Sequence, residues 1–341
     1  MSLIRRNVVN KLSNRLNTES SGSRMDWLSR FLGMIPVSGR LELRCLYGAP
    51  WRVVYEPSPA GEMPYHVVLS GSAVIESPDG GAPHELSAGD IVLMTHGSAH
   101  VLHDGSGAKP GRVKKRENLS VVVSENSGRG ERLDMLCGRF VLAPHHERLV
   151  RDYLPSTLVI RGAADTTEAQ RATHAQVTRL VEMMRTESTA DALGGLAMLN
   201  ALSAALFTVA LRLAGESEDA PVGLLALAGH PRLAPALAAM LDDPAHPWTL
   251  PELARLCHMS RATMARHFQD RVGRSASDLL TDIRIGLAIN ELQNPSSSTE
   301  AVAEKVGYQS VGAFRLAFKK RMGTSPADWR RTAARANIAE G

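Results

Sequence analysis

One pattern of capping and turn residues occurs twice in the C-terminal third of the chain. The matched positions, each pair 50 residues apart, are Ser260 and Ser310, Phe268 and Phe318, and Gly273 and Gly323. A serine before a helix accepts a hydrogen bond from a backbone N–H, and a glycine permits the left-handed conformation that ends a helix. The phenylalanines recur on the apolar face. The repeat predicts helix-turn-helix units over residues 249–272 and 299–322, within a C-terminal all-α domain of residues 226–336.

The second helix of each unit carries outward side chains that suit DNA. Arg266 and Arg315 are the base-reading candidates, because a guanidinium forms a bidentate pair with guanine. Arg261 suits a phosphate as well as a base, and Val311 offers only an apolar contact. The predicted DNA-binding residues are Arg261, Ala262, Arg266 and Gln269 in the first unit and Val311, Arg315 and Lys319 in the second.

The charge distribution also favours a nucleic-acid partner. The chain has a net charge of +4, from 39 basic and 35 acidic residues. Residues 226–341 contain 15 of the basic and 11 of the acidic residues, which leaves 24 of each sign in residues 1–225. The whole net positive charge therefore lies in the predicted DNA-binding part, as attraction to phosphate requires.

The second unit matches the pattern G-Y-x-S-x-x-x-F-x-x-x-F-K-x-x-x-G-x-S-P-x-x-W-R, which begins at Gly307. This pattern, in tandem units joined by a helix through Asp282 to Leu292, resembles the DNA-binding domain of the AraC/XylS transcription regulators. The resemblance implies double-stranded operator DNA as partner, with RNA polymerase as a further one. It implies two recognition helices in successive major-groove segments, about 34 Å apart. It implies neither enzymatic activity nor a cofactor.

Residues 41–142 contain short β-type runs separated by Gly and Pro, which favours an antiparallel sandwich or barrel. Gly89-Asp90, followed by Gly97 and His100, resembles the second motif of cupin domains, and Pro64–Gly71 resembles a degenerate first motif. The predicted fold class is therefore α+β and multidomain, with an N-terminal antiparallel cupin-like barrel plus helices. We expect this sensor domain over residues 25–165, after a disordered extension of residues 1–24.

Residues 166–214 have apolar stripes at helical spacing, which indicates helices that pair two subunits or pack within one. Residues 193–211 carry no charge and are long enough for a membrane span, but polar interruptions favour a buried helix at a domain or dimer interface. An acidic linker is predicted over residues 215–225. We therefore expect a cytoplasmic, nucleoid-associated homodimer with no membrane partner.

His66 and His100 are the candidate polar groups of a pocket in the barrel. A cupin metal site requires a second histidine in the first motif, and Val68 occupies that position, so we expect no metal. His96 and His103 are the possible substitutes. Two rival readings stay open, a metal-dependent cupin enzyme and an architectural DNA binder without a sensor.

Three cysteines do not form the disulfide framework of a secreted protein. The sequence has no C-x-x-C pattern, which argues against a structural zinc site. Cys45 precedes the predicted strands and Cys137 lies near their end. With L-C-G at 136–138 and H-M-S-R-A at 258–262, this layout resembles AraC/XylS members that respond to reactive chlorine. The resemblance implies oxidation sensing at Cys45 and Cys137. Control by a small ligand and simple packing of both thiols are the alternatives, and Cys257 is expected to be structural.

Overall fold

We describe a computed structural model of the chain, which covers residues 25–78, 80–162, 168–190, 192–216 and 222–339. The predicted N-terminal extension lies outside the described residues, as do residues 217–221 of the predicted linker.

Eleven strands form two sheets within the described residues. The strands are β1 (Val37–Gly48), β2 (Arg52–Tyr55), β3 (Glu62–Ser70), β4 (Ser72–Glu76), β5 (His84–Ser87), β6 (Ile91–Leu93), β7 (His100–His103), β8 (Val113–Glu117), β9 (Val122–Asn126), β10 (Arg132–Leu142) and β11 (Leu158–Ile160). The larger sheet has the order β11-β6-β3-β10-β1-β9-β8, and the smaller has the order β2-β7-β4-β5. Pairing is antiparallel, as predicted, except that β1 and β9 run parallel.

The two long strands β1 and β10 are central to the larger sheet and pair along their whole length. Cys45 lies within β1, so the expectation that it precedes the strands is wrong. Side chains of both sheets meet in a core between them, which includes Cys45, Val68, Leu102 and Cys137. The cysteines are therefore part of the interior of the cupin-like domain.

Helices cover the outer face of the larger sheet. They are α1 (Trp27–Met34), α2 (Glu147–Tyr153) after a 3-10 turn at Pro144–His146, α3 (Glu168–Glu187) and α4 (Gly195–Glu216). α4 is long and apolar enough to cross a membrane by length and composition. In the fold it packs on β1 instead, with Ser203 bonded to the Tyr65 hydroxyl at 2.7 Å. A Cβ at Gly39 would lie 2.4 Å from the Ala204 backbone nitrogen, so the helix and sheet backbones approach closely.

The C-terminal part is all helical. Its helices are α5 (Leu224–Ala228), α6 (Ala234–Asp242), α7 (Leu250–Leu256), α8 (Arg261–Val272), α9 (Ala276–Leu292), α10 (Thr299–Lys305), α11 (Val311–Met322) and α12 (Pro326–Ala339). Ser260 and Ser310 cap α8 and α11, and Gly273 and Gly323 end them with φ of 70° and 72°. α9 joins the two units and begins six residues before the predicted Asp282.

Apolar packing attaches the two helix-turn-helix units differently. One continuous core contains the outer face of the larger sheet, α1 and the first unit, including Phe31, Leu237 and Phe268. The second unit has its own core around Phe314 and Phe318. In the described residues, that second core contains no side chain of the cupin-like domain.

Candidate functional site

The first predicted recognition helix, α8, presents its polar residues to solvent. Met264 and Phe268 are buried, whereas Arg261, Ala262, Arg266 and Gln269 are exposed. This separation follows from helical spacing, which puts residues four apart on one face. The exposed face can enter a major groove without unfolding any part of the unit.

The second recognition helix, α11, has a more mixed surface. Arg315 and Lys319 are exposed, and Arg315 lies 3.3 Å from Glu300 of α10. Val311 is half-buried and packs against the core of its own unit, which limits its contact with a base. Leu316 is 73% exposed, although sequence reasoning did not single it out. An exposed leucine on a recognition helix suits an apolar contact such as a thymine methyl group.

Arg284 of α9 contacts residues next to both units. Its guanidinium donates to the carbonyl oxygens of Pro244, Ala245 and His246, at 2.7, 3.2 and 3.0 Å, and lies over the Tyr308 ring. Those carbonyls precede the first unit, and Tyr308 belongs to the turn of the second. Sequence reasoning missed this residue, because its partners lie about 40 positions away in the chain.

Cys45 and Cys137 come together between the sheets. Their sulfurs are 3.8 Å apart, and both side chains are buried. In the β1–β10 register Cys137 opposes Leu43, so the two cysteines are diagonal neighbours. A hydrogen bond from the Cys137 thiol lowers the pKa of Cys45, and burial raises the pKa of Cys137 well above its usual range. Of the two thiols, Cys45 is therefore the one that loses its proton more readily.

His66 and His100 face each other beside the cysteines, with their Nε2 atoms 2.8 Å apart. His100 Nδ1 donates to the Ser98 carbonyl at 3.0 Å, so its Nε2 accepts and His66 Nε2 donates. His66 Nδ1 is then a buried lone pair with no hydrogen-bond partner among the residues that the structure describes. Burial lowers the pKa of both rings, so the neutral forms that this geometry requires are favoured.

Tyr55 links the histidines to the cysteines. Its ring stacks on His100 at 4.6 Å, and its hydroxyl donates to the Cys137 sulfur at 3.7 Å. A cavity of about 260 Å³ reaches Tyr55, His66 and Cys137, with Arg139 at its lining. The structure thus places one cysteine of the pair, Cys137, and one pocket histidine, His66, at the wall of one cavity, with Cys45 and His100 as their direct neighbours.

The two other candidate histidines have partners outside this cluster. Within the part of the chain that the structure describes, no three His, Cys, Asp or Glu side chains come together around a position for a metal ion. His96 turns away to the Leu154 carbonyl, at 3.0 Å, and His103 pairs with Glu76 at 3.3 Å. Neither substitutes for the missing second histidine of the first cupin motif.

A polar network joins the cupin-like domain to the DNA-binding part. Asp282 of α9 is 6% exposed and accepts from Tyr153 at 2.6 Å and from Arg321 at 2.9 Å. Burial raises the pKa of Asp282 despite these donors. Arg274 bridges Asp152 at 2.6 Å and Asp282 at 3.7 Å. Arg321 is thus directed inward, unlike the exposed Arg315 and Lys319 of the same helix.

Comparison with known proteins decides the family. The cupin family model matches residues 26–214, more than half of the chain, and a helix-turn-helix domain model matches residues 253–332. The chain is a cupin-domain member of the AraC family of transcription regulators. It is 29% identical over 309 residues to the RCS-specific HTH-type transcriptional activator RclR of Escherichia coli K12, covering 90% of this chain and 97% of the relative. The predicted resemblance to AraC/XylS regulators is therefore confirmed.

Other AraC-family regulators match over the same span. The HTH-type transcriptional regulator MtrA of Neisseria gonorrhoeae is 28% identical over 311 residues, which is 90% of this chain and 98% of MtrA. The solved structure of ToxT from Vibrio cholerae O395 is 12% identical, covers 87% of this chain and 97% of its own, and gives a TM-score of 0.33. The relatives are named as transcription regulators, which places this AraC-family chain with DNA-binding regulators and removes the cupin enzyme alternative.

Proposed function

We propose that this regulator reads two adjacent major-groove segments through α8 and α11, and that oxidation of Cys45 and Cys137 controls it. The exposed Arg266 and Arg315 support the first part, because each projects from a capped recognition helix. The two sulfurs 3.8 Å apart beside a cavity are the observation that carries the second part.

The DNA-binding roles are tested with fragments that the wild-type protein selects from a random-sequence library. Arg266→Ala and Arg315→Ala should each cost about 1–3 kcal/mol of discrimination at one base position. Arg171→Ala on α3 is the matched control, because it removes the same charge from an exposed helix of the cupin domain. A uniform loss over all sequences would assign both arginines to phosphate instead.

The thiol chemistry can be written for hypochlorous acid. The Cys45 thiolate attacks chlorine, so that an S–Cl bond forms, the Cl–O bond breaks and hydroxide leaves. The Cys137 sulfur then attacks the Cys45 sulfur, chloride leaves, and the Cys137 proton combines with hydroxide to form water. The pair loses two electrons, and hypochlorous acid is reduced to chloride.

Closing the disulfide requires the strands to move. The sulfurs must approach from 3.8 Å to about 2.05 Å. Diagonal neighbours on antiparallel strands have Cα atoms about 7–8 Å apart, whereas a disulfide needs roughly 4.4–6.8 Å. Oxidation therefore shifts β10 relative to β1, which is a structural change that a regulator can transmit.

The redox proposal is tested by measuring DNA affinity in the reduced protein and after one equivalent of hypochlorous acid. We expect a change of affinity in the wild type and none in Cys45→Ala or Cys137→Ala. Cys257→Ala should respond as the wild type, because Cys257 lies at the end of α7, far along the chain from the pair. An affinity that oxidant leaves unchanged in the wild type would make both cysteines packing residues.

A small ligand in the cupin cavity is the second candidate effector. The buried, unpartnered His66 Nδ1 favours it, because such a lone pair accepts a hydrogen bond from a ligand. Equilibrium screening of the reduced protein for compounds that raise its melting temperature tests this. If a compound binds the wild type and His66→Phe abolishes that binding, and if oxidant leaves the DNA affinity unchanged, the ligand is favoured over the thiol switch as effector.

We also propose that two copies pair through the turn between α3 and α4. The exposed apolar side chains there are Leu193, Leu196 and Met198, with Met183 and Leu119 also exposed. Sedimentation should show a dimer that Leu196→Glu converts to monomer, whereas Val222→Glu, at another exposed site, leaves it intact. We expect this dimer in the cytoplasm on the nucleoid, in contact with RNA polymerase at promoters.

A further inference from the structure

The second recognition helix receives direct contacts from the cupin domain. Arg148 of α2 donates through Nη1 to the carbonyl oxygen of Arg321, in the last turn of α11. Carbonyl groups in the last turn of a helix have no partner within the helix, and a cation there also suits the helix dipole. α2 thus supplies a C-terminal cap to a helix of the other domain.

Tyr153, at the end of α2, reinforces that cap indirectly. Its hydroxyl donates to Asp282, and Asp282 in turn accepts from the Arg321 side chain. A cavity of about 20 Å³, room for one water, remains between α2, α9 and Met322. Backbone and side chain of Arg321 are therefore both held by groups that α2 provides or orients.

The first helix-turn-helix unit is attached to the cupin domain by apolar packing, whereas the second depends more on the contacts from α2. Phe268 and Leu279 share one apolar core with the sheet and α1. The buried core of the second unit contains no cupin-domain side chain within the described residues and adjoins the first core only at Leu287 of α9. It contacts the cupin domain through Arg148 and through His145 against Trp329. Loss of a few polar contacts can therefore reorient α11 while α8 stays in place.

Strand β10 connects α2 with the cysteine pair. Cys137 lies five residues before the end of β10 at Leu142, and the 3-10 turn and α2 follow directly. A shift of β10 along β1 therefore moves the start of α2 by chain continuity.

We propose that α2 (Glu147–Tyr153), through Arg148 and Tyr153, positions the second recognition helix for its half-site. We propose further that β10 makes this positioning depend on the state of Cys137. The first statement concerns the reduced protein alone. The second rests on the proposed thiol switch.

The experiment uses full-length reduced protein and library-selected DNA. A half-site is the DNA segment that one recognition helix contacts, and either half-site is scrambled in turn. The half-site of α11 is the one whose scrambling no longer lowers the affinity of the Arg315→Ala/Lys319→Ala variant. Arg148→Ala should weaken binding to the intact site roughly tenfold, as expected for loss of a charge-assisted hydrogen bond. It should also reduce the penalty for scrambling that half-site, and leave the penalty at the other half-site unchanged.

Tyr153→Phe keeps the ring and removes only the hydroxyl, so it should give the same pattern with a smaller loss. Arg151→Ala is the matched control, because Arg151 lies on the same helix and forms an ion pair with Glu147 of that helix. It should bind as the wild type. Unchanged or increased affinity in both Arg148→Ala and Tyr153→Phe would overturn the proposal, as would equal losses at both half-sites.

The redox arm separates the two statements. After hypochlorous acid, peptide mass spectrometry reports the Cys45–Cys137 disulfide, and we expect it in the wild type and in both α2 variants. Only the wild type should then change its DNA affinity further. Equal responses in all three would overturn the connection through β10. If the wild type forms no disulfide and its DNA affinity does not change after oxidant, the proposed thiol switch is wrong. The half-site measurement in reduced protein would still decide the role of α2.

Discussion

Asn290 of α9 joins two groups of the cupin domain, and its removal should loosen the contact between the domains. Its Oδ1 accepts from His146 Nε2 at 3.0 Å, and its Nδ2 donates to the Met34 carbonyl at 2.8 Å. His146 and Met34 are both buried, so water does not replace the lost partner freely. The other ring nitrogen, His146 Nδ1, has no hydrogen-bond partner among the described residues even in the wild type. Asn290→Ala therefore leaves a ring nitrogen and a carbonyl oxygen unpaired in the interface.

Each unpaired buried group costs about 1–3 kcal/mol, so we expect the two groups that Asn290→Ala leaves unpaired to lower the free energy of unfolding by about 2–6 kcal/mol. Urea denaturation followed by circular dichroism measures this loss. Gln293→Ala is the matched control, because Gln293 directly follows the last residue of α9 as its C-cap and makes an exposed contact to His145 at 3.3 Å. It should stay within about 0.5 kcal/mol of the wild type. An Asn290→Ala variant as stable as that control would refute the role of this contact.

Three further changes test separate parts of the fold. Burial, followed by the charge of a neighbouring histidine, lowers the pKa of His146 from 6.5 to about 4. As the pH falls, the unfolded chain therefore binds a proton at this histidine before the folded protein does. The contribution of neutral His146 to the free energy of unfolding is complete above pH 6.5 and should be lost towards pH 4. Urea titrations should show a loss of about 3 kcal/mol at most. Gly39→Ala should lower the free energy of unfolding by at least about 2 kcal/mol, because the new Cβ would overlap the backbone at Ala204. Gly33→Ala in α1 places its Cβ in open space, so it should raise the free energy of unfolding by about 0.5–1 kcal/mol in the same assay. Cys257→Ala should keep its full response to oxidant, since burial raises the pKa of that thiol.

The helix-turn-helix units were predictable because their signals are local. Ser260 and Gly273 bound α8 at the predicted residues, and Ser310 and Gly323 do the same for α11. Capping depends on residues within one turn of a helix end, so a single sequence contains it. α9 begins earlier than predicted because Ser275 caps it, its side chain accepting from the Asp278 backbone N–H.

The long strands β1 and β10 were missed because their pairing is non-local. Arg44 is buried within β1, and charge in a run of apolar residues argues against a strand interior. Its bidentate partner is Asp134, with Nε–Oδ1 and Nη2–Oδ2 distances of 3.0 and 2.7 Å, but that carboxylate lies 90 residues away. The meeting of Tyr55 and His66 with the cysteines likewise depends on register between strands, which no periodicity within one strand reveals.

The unequal attachment of the two units agrees with the magnitude that regulation requires. Coupling between a sensor and a DNA-binding site is typically worth 1–3 kcal/mol. Separating the apolar core that Phe268 shares with the cupin domain would cost far more, because each buried side chain contributes about 1.5–3 kcal/mol. Breaking the cap from Arg148 and the bond from Tyr153 costs an amount in the regulatory range. A small shift of β10 can therefore change the position of α11 without dismantling the interface that holds α8, so the second half-site is where control of this regulator should be measured.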